Sequence, residues 1–319
     1  MKNPVPINSL KYAQTRSDKL RYFLKLLVRD KQLIILIIIP ILWYIIFCYV
    51  PMYGLQIAFK NFRPARGITG SEWVGLEHFI EFFNSYYFVR IVRNTFLINI
   101  YSLLIGFPIP IIFAVMLNEL RSVKYKRIIQ TVTYFPNFIS TVIIVSMLTQ
   151  MFDSSTGVLN FTRIFYGENI PITNNPDFFR SLYIGSGIWQ SFGFNSVIYV
   201  AAMAGIDMQL YEAARIDGAS RWKCIWHITL PSIAPTITIL LLLRLGALFT
   251  QGAEKILLMY SPSTYEVADI ISTYVYRIGL AGAKYSFGTA VGLFNTVLNF
   301  AMLMIFNKLA NKYGDTALW

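Results

Sequence analysis

The chain has little of what a soluble enzyme needs. Of its 319 residues only 14% are charged, against about 25% in a soluble globular domain. Only two are cysteines and two are histidines. Cys48 lies in an apolar run and Cys224 in a charged strip, so neither a disulfide nor a metal site is indicated. His78 and His227 stand far apart, and no zinc spacing can be assembled around them. No G-x-x-x-x-G-K-[ST] phosphate loop occurs, which excludes nucleotide hydrolysis by this chain. No carboxylate pair or nucleophile–base constellation lies within the apolar runs, so a membrane enzyme would lack its chemistry. Acids are scarce too: 16 against 28 bases, a net charge of +12. No groove-reading motif accompanies those bases, and nucleic acid is not an expected partner.

What the chain does have is apolar length. Hydrophobic residues make up 55% of it. Six runs, near 33–53, 94–118, 129–152, 181–205, 232–250 and 285–308, reach the roughly 20 residues that a helix needs to cross a bilayer. They predict an all-α membrane protein with six transmembrane helices. The first run, LIILIIIPILWYIIFCYVPMY, follows some thirty residues and precedes no small-x-small cleavage site, so it reads as an uncleaved span. With the N-terminus in the cytosol, alternate loops hold 17 bases inside and 10 outside, and Arg244 lies within a span. That bias favours an N-in, C-in orientation. The expected organisation is a basic tail at 1–32, a six-span domain at 33–308 and a cytosolic tail at 309–319. In the first tail Leu20, Phe23, Leu24 and Leu27 share one helical face among bases, the pattern of a helix lying in the membrane interface. A solvated basic tail is the alternative. Outer loops 54–93, 153–180 and 251–284 are long enough for a cap and too short for a separate domain.

One strip breaks the apolar pattern: YEAARIDGASRWKCIWHITLP, at 211–231. Asp207 can cap a helix over MQLYEAARI by accepting its unpaired first-turn amides. Gly218 can close that helix in the left-handed conformation. Ser220 can cap a second helix, RWKCIWHI, and Pro231 suits the first turn of the next span. The result is a helix–turn–helix on the cytosolic face between the fourth and fifth spans, a loop covering 207–231. Glu212 and Asp217 stand beside Arg215, Arg221 and Lys223, with Tyr211, Trp222 and Trp226 interleaved. Charged rims around aromatic anchors suit a protein-docking surface, with packing between spans as the plainer alternative.

The spacing is specific. Glu212-Ala213-Ala214, then Gly218, then Ile228, Leu230 and Pro231, resembles the EAA loop in membrane subunits of bacterial ATP-binding-cassette importers of the type I fold. The resemblance implies that the first helix is a coupling helix seated in a cleft of a separate ATPase subunit. Glu212 would then be the charged contact, Ala213 and Ala214 would keep the helix slim, and Asp217 and Gly218 would form the turn. ATP and magnesium would be used by that ATPase, with no cofactor bound by this chain. A narrower resemblance rests on WVGLEHFIEFF (73–83) with RNTF (93–96), and on EKILLMYSPSTYEVADIISTYVYRIGL (254–280) with YSFGTAVGLFNTVLNF (285–300). These are similar to permeases of the LplB and YteP type, which carry oligosaccharides and polysaccharide fragments. That resemblance implies a bacterial cell-membrane protein paired as a heterodimer with a second permease. It also implies two ATPase subunits and an extracellular sugar-binding lipoprotein, and import rather than export. Cys224-Ile225 departs from the phenylalanine common at that point in the family.

Polar residues inside spans usually face a bundle interior or a wet cavity. Trp189, Gln190, Asn195 and Tyr199 in the fourth span are candidates for a substrate pathway. So are Arg244, with Gln251 and Glu254 beyond it, in the fifth, and Asn295 and Asn299 in the sixth. Amides and aromatic platforms suit the hydroxyl edges and apolar faces of sugars. For each residue an interhelical hydrogen bond is the alternative. Arg244 has two readings: contact with an anionic substrate such as a uronic acid, or a structural bond to backbone carbonyls or a partner carboxylate. The structural one is preferred. Competing functions are a permease for another small solute, a polytopic membrane enzyme and a passive channel. The channel would have no use for a motor-docking loop.

Overall fold

The computed structural model describes residues 29–153, 167, 172–248 and 252–313. The expected interfacial helix, Gln251 and the end of the C-terminal tail lie outside these residues. Two units separate at Gln56–Ile57. The fold is all-α, and its one sheet among the described residues pairs Lys60 with Trp73 and Asn61 with Glu72.

In the first unit, α1 (Lys31–Tyr44) runs through a wide π turn, Ile45–Tyr49, into a closing turn at Val50–Met52. Pro51 stands two residues beyond the wide turn. Its ring crowds the carbonyl four residues earlier and it offers that carbonyl no N–H. The widened turn moves the strain aside, with the Val50 amide donating to the Ile45 carbonyl instead.

In the second unit, α2 (Glu77–Phe83) leads to α3 (Phe88–Gly106) and α4 (Pro108–Glu119), which together form one span of 32 residues. After α5 (Val123–Tyr134) a 3-10 turn at Phe135–Phe138 leads into α6 (Thr141–Met151), bent by 97° from the preceding stretch. Helix α7 (Pro176–Ala204) has 29 residues, about 43 Å at 1.5 Å each, and packs against α3, α4 and α5. Next come α8 (Met208–Ile216) and α9 (Arg221–Cys224), which continues through a π turn into α10 (Leu230–Gly246). The rest comprises α11 (Ala253–Met259), α12 (Tyr265–Ala268), α13 (Ile271–Tyr274) and the long α14 (Tyr285–Tyr313).

Six spans were expected. Among the described residues four helical stretches are long and apolar enough: Lys31–Phe59, Phe88–Glu119, Arg221–Gly246 and Tyr285–Lys308. A fifth qualifies if the bent pair counts as one. The run 129–152 reads as continuous in hydropathy, but Pro136, Asn137 and Ser140 break it into two helices, the second capped by the Ser140 hydroxyl. The fourth expected run lies on α7, where Gly, Ser, Gln and Asn dilute the apolar residues. Length is not what that helix lacks.

Four apolar clusters hold the second unit. Phe82 of α2 is fully buried against Ile91, Ile271, Tyr274, Phe287 and Val291, joining α2, α3, α13 and α14. Ile98, Phe179, Ile256 and Ile270 tie α3, α7 and the 253–270 segment together. Leu103 meets Leu245 and Leu248, and Ala114 meets Tyr199, Met203 and Ile233. The two sequence stretches 93–96 and 254–280 also meet. Asn94 donates from its amide to the Glu266 carbonyl (2.8 Å) and the Asp269 carbonyl (3.2 Å), and accepts from Arg180 (2.9 Å). The Ile271 amide donates to the Thr95 hydroxyl at 2.9 Å. Asp269, with no exposure, pairs with Arg277, accepts from Thr273 (2.8 Å) and faces Arg90 at 3.9 Å.

Candidate functional site

Local rules cap the two helices of the 207–231 loop as its sequence predicts. Asp207 accepts from the Gln209 amide at 2.9 Å and starts α8. Gly218 ends it at φ +73°, with its own amide donating to the Arg215 carbonyl and the Ala219 amide to the Ala214 carbonyl. These two bonds make a complete Schellman cap. Ser220 accepts from the Lys223 amide at 3.4 Å and starts α9. The second helix does not stop at Ile228. It continues through a π turn (Ile225–Thr229) into α10, so Pro231 lies inside one 26-residue helix. The π turn again precedes the proline by two residues.

Glu212, Ala213, Asp217 and Gly218 are exposed on α8 and its turn, and Ala214 is half-buried. Around them Met208, Leu210 and Ile216 also face outward, Ile216 at 86% exposure. Ile228 and Leu230 are half-buried, and Pro231 is exposed. Tyr211 is half-buried, and its hydroxyl lies 2.9 Å from that of buried Thr229, tying α8 to the base of α10. Trp222 and Trp226 are exposed. One turn apart on the continuous helix, they line an apolar groove with Ile112 and Met116 of α4.

A cavity of about 160 Å³ lies elsewhere in this unit, its wall shared by polar groups and by Ile184, Ile188 and Leu248. Asn99 and Ser102 of α3, Ser191 of α7, Arg244 of α10 and Lys255 of α11 supply its polar groups. Gly106, Gly187 and Gly252 leave bare backbone at its wall. Lys255 is buried and donates to the Ser186 hydroxyl (2.8 Å) and the Tyr183 carbonyl (3.2 Å). Burial lowers its ammonium to about 8. Gly252 sits at φ +94°, and a side chain there would collide with the Tyr183 hydroxyl.

Of the expected pathway residues that are described, only Arg244 lines this cavity. Gln190 donates to the Ile139 carbonyl at 3.1 Å, satisfying backbone opened at the bend between α5 and α6. Tyr199 is buried in the α4–α7–α10 core. Trp189 lines a separate apolar groove with Ile144, Leu148 and Met151. Asn195 is half-buried, Glu254 is exposed, and Asn295 and Asn299 are buried on α14 away from the cavity lining. Lys255, Asn99, Ser102 and Ser191 were missed. A signal for them existed in helical spacing: Asn99, Ser102 and Gly106 share one face of α3, and Gly187 and Ser191 one face of α7. On α11, Glu254 and Leu258 share the exposed face, which turns Lys255 toward the interior.

Residues 106–312 match the family of binding-protein-dependent transport system inner membrane components. The polygalacturonan/rhamnogalacturonan transport system permease protein YteP of Bacillus subtilis (strain 168) is 40% identical over 305 residues, 95% of each chain. Protein LplB of the same strain is 42% identical over 294 residues, 92% of each. Among solved structures, a chain of a bacterial ABC transporter involved in import of the acidic polysaccharide alginate aligns with TM-score 0.84 and 42% identity. That alignment covers 92% of this chain and 99% of that one. The chain therefore belongs to the binding-protein-dependent transport permeases: it is a multi-pass membrane subunit of an ABC importer, of the type I fold and the LplB/YteP kind.

Proposed function

We propose that this permease carries oligosaccharides or polysaccharide fragments into the cell. A solute-binding protein delivers them, and a separate ATPase pair, using ATP and magnesium, drives the movement. The saccharide class is supported by the relatives, one bearing the name of a polygalacturonan/rhamnogalacturonan system and one solved with an alginate importer. In this reading the chain pairs with a second permease as a heterodimer. It crosses the membrane six times, N-in and C-in, with 1–32 and 309–319 as cytosolic tails and 33–308 as the spanning domain. The bent pair α5–α6 and the polar helix α7 supply the third and fourth crossings.

The observation that carries the coupling assignment is the build of α8. It is capped at both ends, fastened to α10 by Tyr211 and Thr229, and presents Glu212 among exposed apolar residues. Exposed apolar side chains around a charge suit a partner's cleft. Movement of a docked ATPase would thus pass through α8 into α10. Glu212 is the charged contact, Ala213 and Ala214 permit close approach, Asp217 and Gly218 hold the turn, and Ile228, Leu230 and Pro231 anchor the base. The test is reconstitution of the whole importer in proteoliposomes with Glu212→Ala and, separately, Gly218→Val. Uptake should fall at least about tenfold in each, a loss of about 1.4 kcal/mol or more, and the binding protein should no longer stimulate ATP hydrolysis. Transport surviving both changes would remove the coupling assignment. A stimulating solute set without sugars would remove the saccharide reading and leave the permease intact.

A further inference from the structure

Arg244 and Lys255 line the same cavity from different helices, and among the described residues no carboxylate lines it with them. Neither cation makes an ion pair among the described residues. Buried charges are costly unless paired, often by several kcal/mol per ion. Two like charges on one cavity compound that cost. Lys255 spends two of its three N–H donors on Ser186 and Tyr183; the ammonium retains a third. The glycines keep space open beside both groups. A Cβ at Gly187 would lie 3.4 Å from the Lys255 Nζ, and one at Gly106 would lie 4.0 Å from the Arg244 Nη2. Both cations border this one cavity of about 160 Å³.

We propose that Arg244 and Lys255 form a carboxylate-binding subsite that holds the uronate group of an acidic sugar unit during translocation. The guanidinium offers a planar fork that can match both carboxylate oxygens, and the lysine adds a point charge. Asn99, Ser102 and Ser191 supply neutral partners for ring hydroxyls around them. The subsite rests on the saccharide reading above and narrows it to anionic saccharides. The carboxylate of a partner permease has the same chemistry and is the rival occupant, so the test must separate the two.

The importer complex, with partner permease and ATPase subunits, is placed in lipid nanodiscs without the binding protein. It is titrated with trigalacturonate and with its fully methyl-esterified form. The wild type should bind the acid about tenfold or more tightly than the ester. Arg244→Gln and Lys255→Gln should each bring that ratio toward one by weakening acid binding while leaving ester binding in place. Arg244→Lys, which keeps the charge and loses the fork, should fall between. Equal wild-type affinity for acid and ester overturns the subsite and leaves the saccharide reading standing. Loss of the partner permease on size-exclusion of Arg244→Gln also overturns it, in favour of a partner carboxylate. Binding of neither sugar by the wild type, when other solutes do bind, overturns both readings together.

Discussion

At the residue scale, Asp269 makes the sharpest demand on its surroundings. Its carboxyl is wholly buried, and burial raises its pKa above the ordinary carboxylate value while Thr273 and Arg277 pull the other way. Arg277 pairs with it, Arg90 stands at 3.9 Å, and Asn94 fixes its backbone carbonyl. Removing one partner of such a buried set typically costs about 3–5 kcal/mol, because the remaining charges are left facing each other. Asp269→Asn should therefore lower the melting temperature of the detergent-solubilised importer markedly, with surface expression falling alongside. A melting curve within a degree of wild type would show that the guanidiniums are satisfied elsewhere. Nothing in the sequence announced this residue. ADI at 268–270 reads as part of a loop, and its charged partners, Arg277 and Arg90, come from 8 and 179 residues away. Lys255 was hidden differently: beside Glu254, it looks like half of an exposed charged pair until the helical phase of α11 is set by Ile256 and Met259.

At the element scale, what is local was legible and what depends on neighbours was not. Asp207, Gly218 and Ser220 act within four residues of themselves, so the caps of α8 and α9 follow from sequence and are found in place. The bend after α5 was not legible, because hydropathy sums over 129–152 without regard to the Pro136-Asn137 break. That bend is held from outside. Gln190 of α7 donates to the Ile139 carbonyl. Gly193, one turn further on, lets the backbone of α7 approach so closely that any Cβ there would overlap the Thr133 carbonyl oxygen. Small residues at crossing points permit such contacts between membrane helices. Gly193→Val should thus destabilise the permease by about 1–3 kcal/mol through overpacking against backbone that cannot yield. Gly185→Val, where the added group meets open space, is the matched control. If both variants melt together, the α5–α7 crossing is not tight in the membrane.

At the scale of the whole molecule, two residues decide how many times the chain crosses. Tyr86, before α3, and Ile216, at the end of α8, are 87% and 86% exposed. Between them lie the α3–α4 span, the bent pair α5–α6, and α7. If the bent pair crosses, three crossings place Tyr86 and Ile216 on opposite sides. If it turns back on itself, two crossings leave them on the same side. The chain's only cysteines, Cys48 and Cys224, can be replaced by Ala so that a single reporter remains. Tyr86→Cys should then react with a membrane-impermeant maleimide in right-side-out vesicles, and Ile216→Cys only after inversion. Both should react with a permeant maleimide in either preparation. Labelling of both from one face would turn α5–α6 into a re-entrant hairpin and reduce the crossings from the proposed six to five. An odd number would move the C-terminal tail to the outside. Labelling of Ile216→Cys from outside would also take the 207–231 loop away from the cytosol and from any ATPase, so this experiment bears on the coupling mechanism as directly as a change at Glu212.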